Sequence, residues 1–210
     1  MQIGIIGSGN MGASMGKTWA AKGHKVMFSF SKDQAALRLV AEAAGPNART
    51  GTPGEAVSFG DVILLAVPWG AIKEAIHAAG SMNGKIVFSC VNCLKPDFGG
   101  LAAGTTTSAA EEIAKLAPHA RVVEAIPPMA QILASQSHRL GGQQISTFYC
   151  GDDEDAKKSV TRLLVDLDVD PVDAGPLTSA RYIEPAGMLA VQLAYGMGQG
   201  PNIGMRLLRG

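Results

Sequence analysis

Three glycines fall within six residues in Gly7-Ser8-Gly9-Asn10-Met11-Gly12, directly after a short apolar run and before a stretch with helical spacing. Glycines so placed suit the binding of a diphosphate. Gly7 makes the tight turn, Gly9 lets backbone approach the pyrophosphate, Gly12 lets helix pack on strand, and the helix start offers free N–H groups to the anion. A glycine turn with no ligand is the plainer alternative; the strand-turn-helix context favours a dinucleotide. About 20 residues beyond such a loop, NAD-binding chains carry an acid that bonds the adenosine ribose. Phe30 stands there instead, flanked by Ser29, Ser31 and Lys32, with no carboxylate until Asp33. Two hydroxyls and a cation suit the 2′-phosphate of NADP, so NADP is expected over NAD. If Lys32 is an ordinary solvated lysine at a helix start, only the missing acid speaks for NADP.

Other reactive side chains carry weaker signals. Cys90 and Cys93 are spaced as a redox pair or half a metal site, but the second half is missing and Cys150 lies far off, so small buried side chains are expected and no metal. Asp152 to Asp155 ahead of Lys157 and Lys158 read as a helix start matched to its dipole. The four histidines are scattered, with His138 alone in a cleft-like segment and better described as a surface residue.

The elements that must position the loop follow from periodicity. Strand-like runs at Gln2 to Ile6, "GHKVMFSFS", "DVILLAV", "GKIVFSCV", "ARVVEAI" and "QQISTFYC" alternate with helical patterns at Asn10 to Lys22, "KDQAALRLVAEAAG" and "WGAIKEAIHAAG". Ser108 and Glu111 form a capping box opening a helix to Leu116. Alternation of this kind predicts an α/β fold, a Rossmann-type doubly wound and mostly parallel sheet. Pro171 to Pro176 is the best boundary, giving a Rossmann domain over 1–175 and a small C-terminal helical lobe over 176–210 that packs on the sheet or on a second subunit. Eighteen basic and eighteen acidic side chains cancel, so a small-molecule partner is expected, with no nucleic acid and no membrane. The start of the chain runs straight into a strand with no targeting segment, so a cytoplasmic location is expected.

With these stretches in view, "GIIGSGNMG", "DVILLAVPW", "LKPDFGGLAAGTTTSAAEEIA", "CGDDEDAKKSV" and "VDAGPLTSARYIEP" resemble the NADPH-dependent coenzyme F420 reductase (F420:NADP oxidoreductase) family and its bacterial relatives, among the pyrroline-5-carboxylate reductase-like Rossmann proteins. The resemblance implies a homodimer that moves hydride between NADP(H) and a second flat ring, coenzyme F420 or a flavin. It implies NADP contacts at Ser8, Gly9, Asn10 and Met11 and after the second strand, and a ring site at Val67, Pro68 and Trp69. Pro68 ends a strand where ligands bind and leaves Trp69 at the cleft rim, although a core role for Trp69 is as well supported. Ser89 and Met129 complete the expected acceptor-ring site, with Ser89 offering a hydroxyl to charge developing on the ring. Two departures bear on the acceptor: Pro127 stands where the family carries His or Asn, and Ser31 and Lys32 stand where archaeal members carry arginines. Alternatives to a ring acceptor are a small imine, a ferric or flavin substrate, and an NADPH sensor without catalysis.

Overall fold

Apolar runs of four or five residues form the central strands, and stretches with one apolar face form the helices that cover them. The computed structural model describes residues 1–103 and 105–210. The first half runs β1 (Gln2–Ile6), α1 (Asn10–Ala21), β2 (Lys25–Ser29), α2 (Gln34–Ala44), β3 (Ala48–Thr50), α3 (Pro53–Phe59), β4 (Val62–Leu65), α4 (Ile72–Ala79) and β5 (Ile86–Ser89). The second runs α5 (Ala109–Leu116), β6 (Arg121–Ala125), α6 (Ala130–Leu133), β7 (Arg139–Leu140), β8 (Gln143–Gln144), β9 (Ser146–Gly151), α7 (Glu154–Asp166), β10 (Asp170–Asp173) and α8 (Ala180–Val191).

Eight strands form one sheet in the order β10-β9-β6-β5-β4-β1-β2-β3, and β7 pairs only with β8. All pairings in the large sheet are parallel except β6 with β9. The order reverses between β1 and β4, the switch point of a doubly wound fold, so a crevice opens at their carboxyl ends. One apolar cluster joins α1, α2 and α7 to the sheet through Trp19, Leu37, Val160 and Leu163, and the other joins α3, α4, α5 and α8 through Val57, Ile76, Ile113 and Ile183. On the first face Trp19 lies 6.1 Å from the Phe88 ring and donates its indole N–H to the Leu163 carbonyl at 2.9 Å. Among the described residues no helix is long and apolar enough to cross a membrane.

The C-terminal helix is latched to the body by polar contacts as well as by its core residues. Arg181 holds Glu111 through two hydrogen bonds of 2.9 and 2.6 Å. The buried Glu184 carboxylate accepts the first N–H groups of α5, from Ala109 at 3.0 Å and Ala110 at 3.2 Å. Asn92 donates its amide to the Glu184 carbonyl at 3.0 Å. Beyond α8 the chain returns along β9, where Ser146 donates its N–H to the Met205 carbonyl at 2.9 Å.

Beneath α8 lies Glu124 of β6, fully buried, in register with Ser89 on one side and Cys150 on the other. Neither of its carboxyl oxygens has a hydrogen-bond partner among the described residues. Burial first, and the negative Glu184 second, push its pKa well above the ordinary 4.5, with the Ser89 hydroxyl offsetting only part. While neutral, below the unfolded pKa, such a group carries only the cost of a buried carboxyl without a hydrogen bond, which a glutamine would share. As pH rises above that value the unfolded chain releases a proton the folded chain keeps, and stability falls by about 1.4 kcal/mol per pH unit until the folded group ionises. Glu124→Gln is therefore expected to match the wild type in urea unfolding at pH 4 and to exceed it at pH 8. Equal midpoints at pH 8 would show that Glu124 carries no such penalty.

Candidate functional site

At the switch point the glycine loop is fixed by close approach. Gly7 sits at φ 105°, where an L side chain is strained, and a Cβ there would overlap the Ala66 carbonyl and press on Val67. A Cβ on Gly12 would overlap the Gly7 carbonyl. Gly9 differs from both. Its φ of −69° and ψ of −170° are open to any residue, and a Cβ would meet no atom within 4 Å. Nothing inside the chain requires glycine there, and the open space in front of it is a cradle that a side chain would fill. Helix α1 has no side-chain cap, so its first N–H groups point unsatisfied to the same place. The loop fits a diphosphate.

On one side of the loop a pocket of about 540 Å³ opens between the ends of β2 and β3 and helix α4, bordered by Phe30, Ser31, Lys32, Arg38 and Thr52. Phe30 takes a left-handed backbone, φ 56°, at a cost of about 1–2 kcal/mol, and turns the chain out of β2. Asp33, the first acid, spends its carboxylate as the cap of α2, accepting the N–H groups of Ala35 at 2.9 Å and Ala36 at 3.0 Å. Lys32 and Arg38 are exposed and in no ion pair among the described residues. Two carboxylates face them from α3 and α4. Glu55 is engaged with Thr52, whose hydrogen bonds hold its carboxyl below the usual range, and Glu74 is the other.

On the other side a larger cavity of about 850 Å³ starts at Asn10 and Met11. The segments after β5 and β6 supply Phe98, Pro127, Pro128 and Met129, α8 supplies Ile183 and Tyr195 lies just beyond it, and the returning tail supplies Ile203 and Met205. The lining is largely apolar. Of its side-chain amides, Asn92 donates to the Glu184 carbonyl while its Oδ1 is unpartnered, and Gln131 donates to the Tyr195 hydroxyl at 3.0 Å, which leaves Asn10 and Gln192 without a side-chain hydrogen bond among the described residues. Among the described residues no histidine lines either cavity. His138 instead bonds the Leu167 carbonyl at 2.6 Å, and His24 bonds Asp166 at 2.9 Å.

Several expected site residues lie elsewhere. Ser29 is fully buried and donates its hydroxyl to the Ile5 carbonyl at 2.7 Å, so it does not face the pocket. Ser31 does border the smaller pocket, but its hydroxyl is turned to its own chain, donating to the Asp33 carbonyl at 2.9 Å. Ser89 is also fully buried, accepts the Val91 N–H at 3.2 Å, and is absent from the cavity wall. Val67 is buried against Gly7, Pro68 is exposed at the end of β4, and Trp69 is half-buried against the core; none of the three lines the larger cavity. Met129 does line it. Arg38 was not expected, because it lies on α2 beyond the usual window, and its only sequence signal is one cation a helical turn into a segment that opens at the pocket. The cysteines are free, and burial pushes their thiols up, Cys93 to about 12. No group of three or more His, Cys, Asp or Glu side chains is placed to hold a metal among the described residues.

With the loop, its two flanking cavities and the strand order in hand, comparison with known proteins gives a consistent result. Residues 2–93 match the family NADP oxidoreductase coenzyme F420-dependent. A protein from Arthrobacter sp. FB24, solved as a candidate F420-dependent NADP-reductase, superposes over all of both chains with a TM-score of 0.88 and 26% identity. Metalloreductase STEAP3 of Rattus norvegicus is 27% identical over 183 residues, 87% of this chain, and the chain spans 36% of that protein's length. A reductive aminase from Aspergillus terreus, solved with NADPH4, cyclohexanone and allyl amine, shares the fold at a TM-score of 0.68 and 18% identity, over 94% of this chain and 62% of its own.

The two unpaired cations make a direct prediction. Lys32→Ala and Arg38→Ala are each expected to raise the Kd for NADPH about tenfold or more, as befits loss of a charge-assisted bond to phosphate, and to leave the weaker NADH binding nearly unchanged. Fluorescence titration of the two nucleotides measures both, and equal losses for NADPH and NADH would remove the pocket from coenzyme selection.

Proposed function

We propose that this NADP-linked oxidoreductase transfers a hydride between NADP(H) and a planar ring acceptor, coenzyme F420 or a flavin, seated in the larger cavity. The observation that carries the reading is continuity: Asn10 and Met11, which begin α1 over the diphosphate cradle, also form the first wall of an apolar cavity of a size suited to a ring system. When bound, NADPH supplies the hydride, and the chain's task is placement and exclusion of water.

Each part of the chain has a share in that placement. The α1 N–H groups and the Gly9 cradle hold the diphosphate, and Lys32 and Arg38 meet the 2′-phosphate at one end. The free amides of Asn10 and Gln192 are available to orient polar edges of the two rings. Pro127 and Pro128 present only apolar surface where a side-chain donor would otherwise stand. The ionisable side chains lining the cavity are Cys90, Asp97 and Tyr195, and burial keeps the Cys90 thiol protonated. Hydride transfer to a deazaflavin or flavin leaves a delocalised ring anion that can take its proton from water, whereas a small imine must be protonated at nitrogen before it accepts hydride, a task for which the cavity offers only Asp97 and Tyr195 among the described residues. This favours the ring acceptor. We also propose a homodimer, supported by the exposed apolar side chains of Tyr182, Leu189 and Met197 on and after α8.

The test is anaerobic stopped-flow absorbance with NADPH or NADH, mixed separately with oxidised coenzyme F420, FMN, a cyclic imine and ferric citrate. Rapid oxidation of NADPH by a ring acceptor, with NADH much slower, is the expected outcome. Saturable NADPH binding without oxidation by any of them would replace catalysis with sensing, and turnover with the imine or iron alone would replace the acceptor.

A further inference from the structure

Among the described residues, three other than glycine have a left-handed backbone: Phe30, Phe98 and Asp168. Phe30 lines the coenzyme-side pocket, and Asp168 uses its position to bond Arg139 and Gln144. Phe98 has no such account within the chain. It stands at φ 57° with 58% of its surface exposed, so its backbone is strained and its ring largely uncovered. The turn around it is tightly made. Lys95 accepts the Phe98 N–H at 2.9 Å and donates its own to Gly100 at 2.9 Å, Asp97 accepts the Gly99 N–H at 2.9 Å, and Leu94 bridges to Leu101. A glycine would satisfy this backbone without strain, so the turn itself does not call for phenylalanine. What the position supplies is a ring on the wall of the larger cavity, which Tyr195, 53% exposed, also lines from beyond α8.

We infer that Phe98 is a positioning residue for the acceptor, its strained turn holding an aromatic face against a planar ring, with Phe148 and Tyr195 as the other aromatics of the same cavity. The inference rests on the ring-acceptor reading and narrows it. Ring stacking selects flat, extended acceptors over small imines or iron complexes.

The experiment is equilibrium titration of the protein saturated with NADP⁺, using the fluorescence of oxidised coenzyme F420 and, separately, of FMN, in wild type and in Phe98→Ala, Phe98→Gly and Phe98→Tyr. Loss of one stacked ring is expected to raise the acceptor Kd about threefold to tenfold in the first two variants, with NADPH affinity unchanged, and tyrosine is expected to restore it. Phe98→Gly is also expected to melt at or above the wild-type temperature, since it relieves the backbone. This separates a lost contact from a misfolded loop. Unchanged acceptor affinity in Phe98→Ala, or a wild type that binds neither ring, overturns the inference. Its failure and that of the functional reading remain distinct. Turnover with a ring that does not depend on Phe98 leaves the function standing, and Phe98-dependent ring binding without NADPH oxidation leaves the inference standing alone.

Discussion

The contact between the glycine loop and the end of β4 is the constraint around which the rest is arranged. Gly7 turns against the Ala66 carbonyl, and Gly12 seats α1 on the Gly7 carbonyl. No side chain fits at either place. That closeness aims the unsatisfied N–H groups of α1 at the switch point, and every other feature of the groove is measured from there. The phosphate-side pocket lies one strand away, past β2, and the apolar cavity lies on the other side, past β5 and β6. A dinucleotide laid across the loop would therefore have a cationic end and an apolar end.

The apolar end depends on α8, whose placement is itself polar. Glu184 caps α5, Arg181 grips Glu111, and Asn92 reaches the α8 backbone, so the helix cannot move without breaking bonds on a second helix and on the segment after β5. Holding it there requires buried charge. The N–H groups of Ala109 and Ala110 compensate Glu184, yet burial still pushes its carboxyl up, and neither carboxyl oxygen of Glu124 nearby has a hydrogen bond among the described residues. The cavity wall is thus kept in place at some cost in stability, as is common where structure serves a site.

How much of this was legible in sequence depended on whether the signal was local. The glycine spacing, the buried strands β1, β4 and β5, and the Ser108 cap of α5 are written in adjacent residues, and the sheet follows from their alternation. β3, at Ala48–Thr50, is too short to show a period, and α3 announces itself only through the Thr52–Glu55 capping box. β10 contains Pro171, which reads as a breaker and is tolerated because the strand lies at the sheet edge. The acceptor side was the least legible. Its wall is assembled from six segments between Asn10 and Met205, and the residues nearest the strand ends, Ser89 and Trp69, turn inward while Phe98 turns out.

Side-chain direction also decides what residue type alone could not at the coenzyme end. Counting hydroxyls after β2 makes Ser29 and Ser31 equal candidates for a phosphate, but a strand residue bonded to the next strand's carbonyl has no proton left to give. Counting acids makes Asp33 a threat to the same phosphate, but a carboxylate that accepts two N–H groups at the start of α2 has its charge balanced locally. With Ser29 withdrawn and Asp33 occupied, the proposed preference for a phosphorylated ribose rests on Lys32 and Arg38, two long cations free of ion pairs among the described residues. Selection for a charged group by flexible, solvated cations is strong at low salt and weakens as ions screen it, so discrimination between NADPH and NADH in this chain is bound to narrow as ionic strength rises.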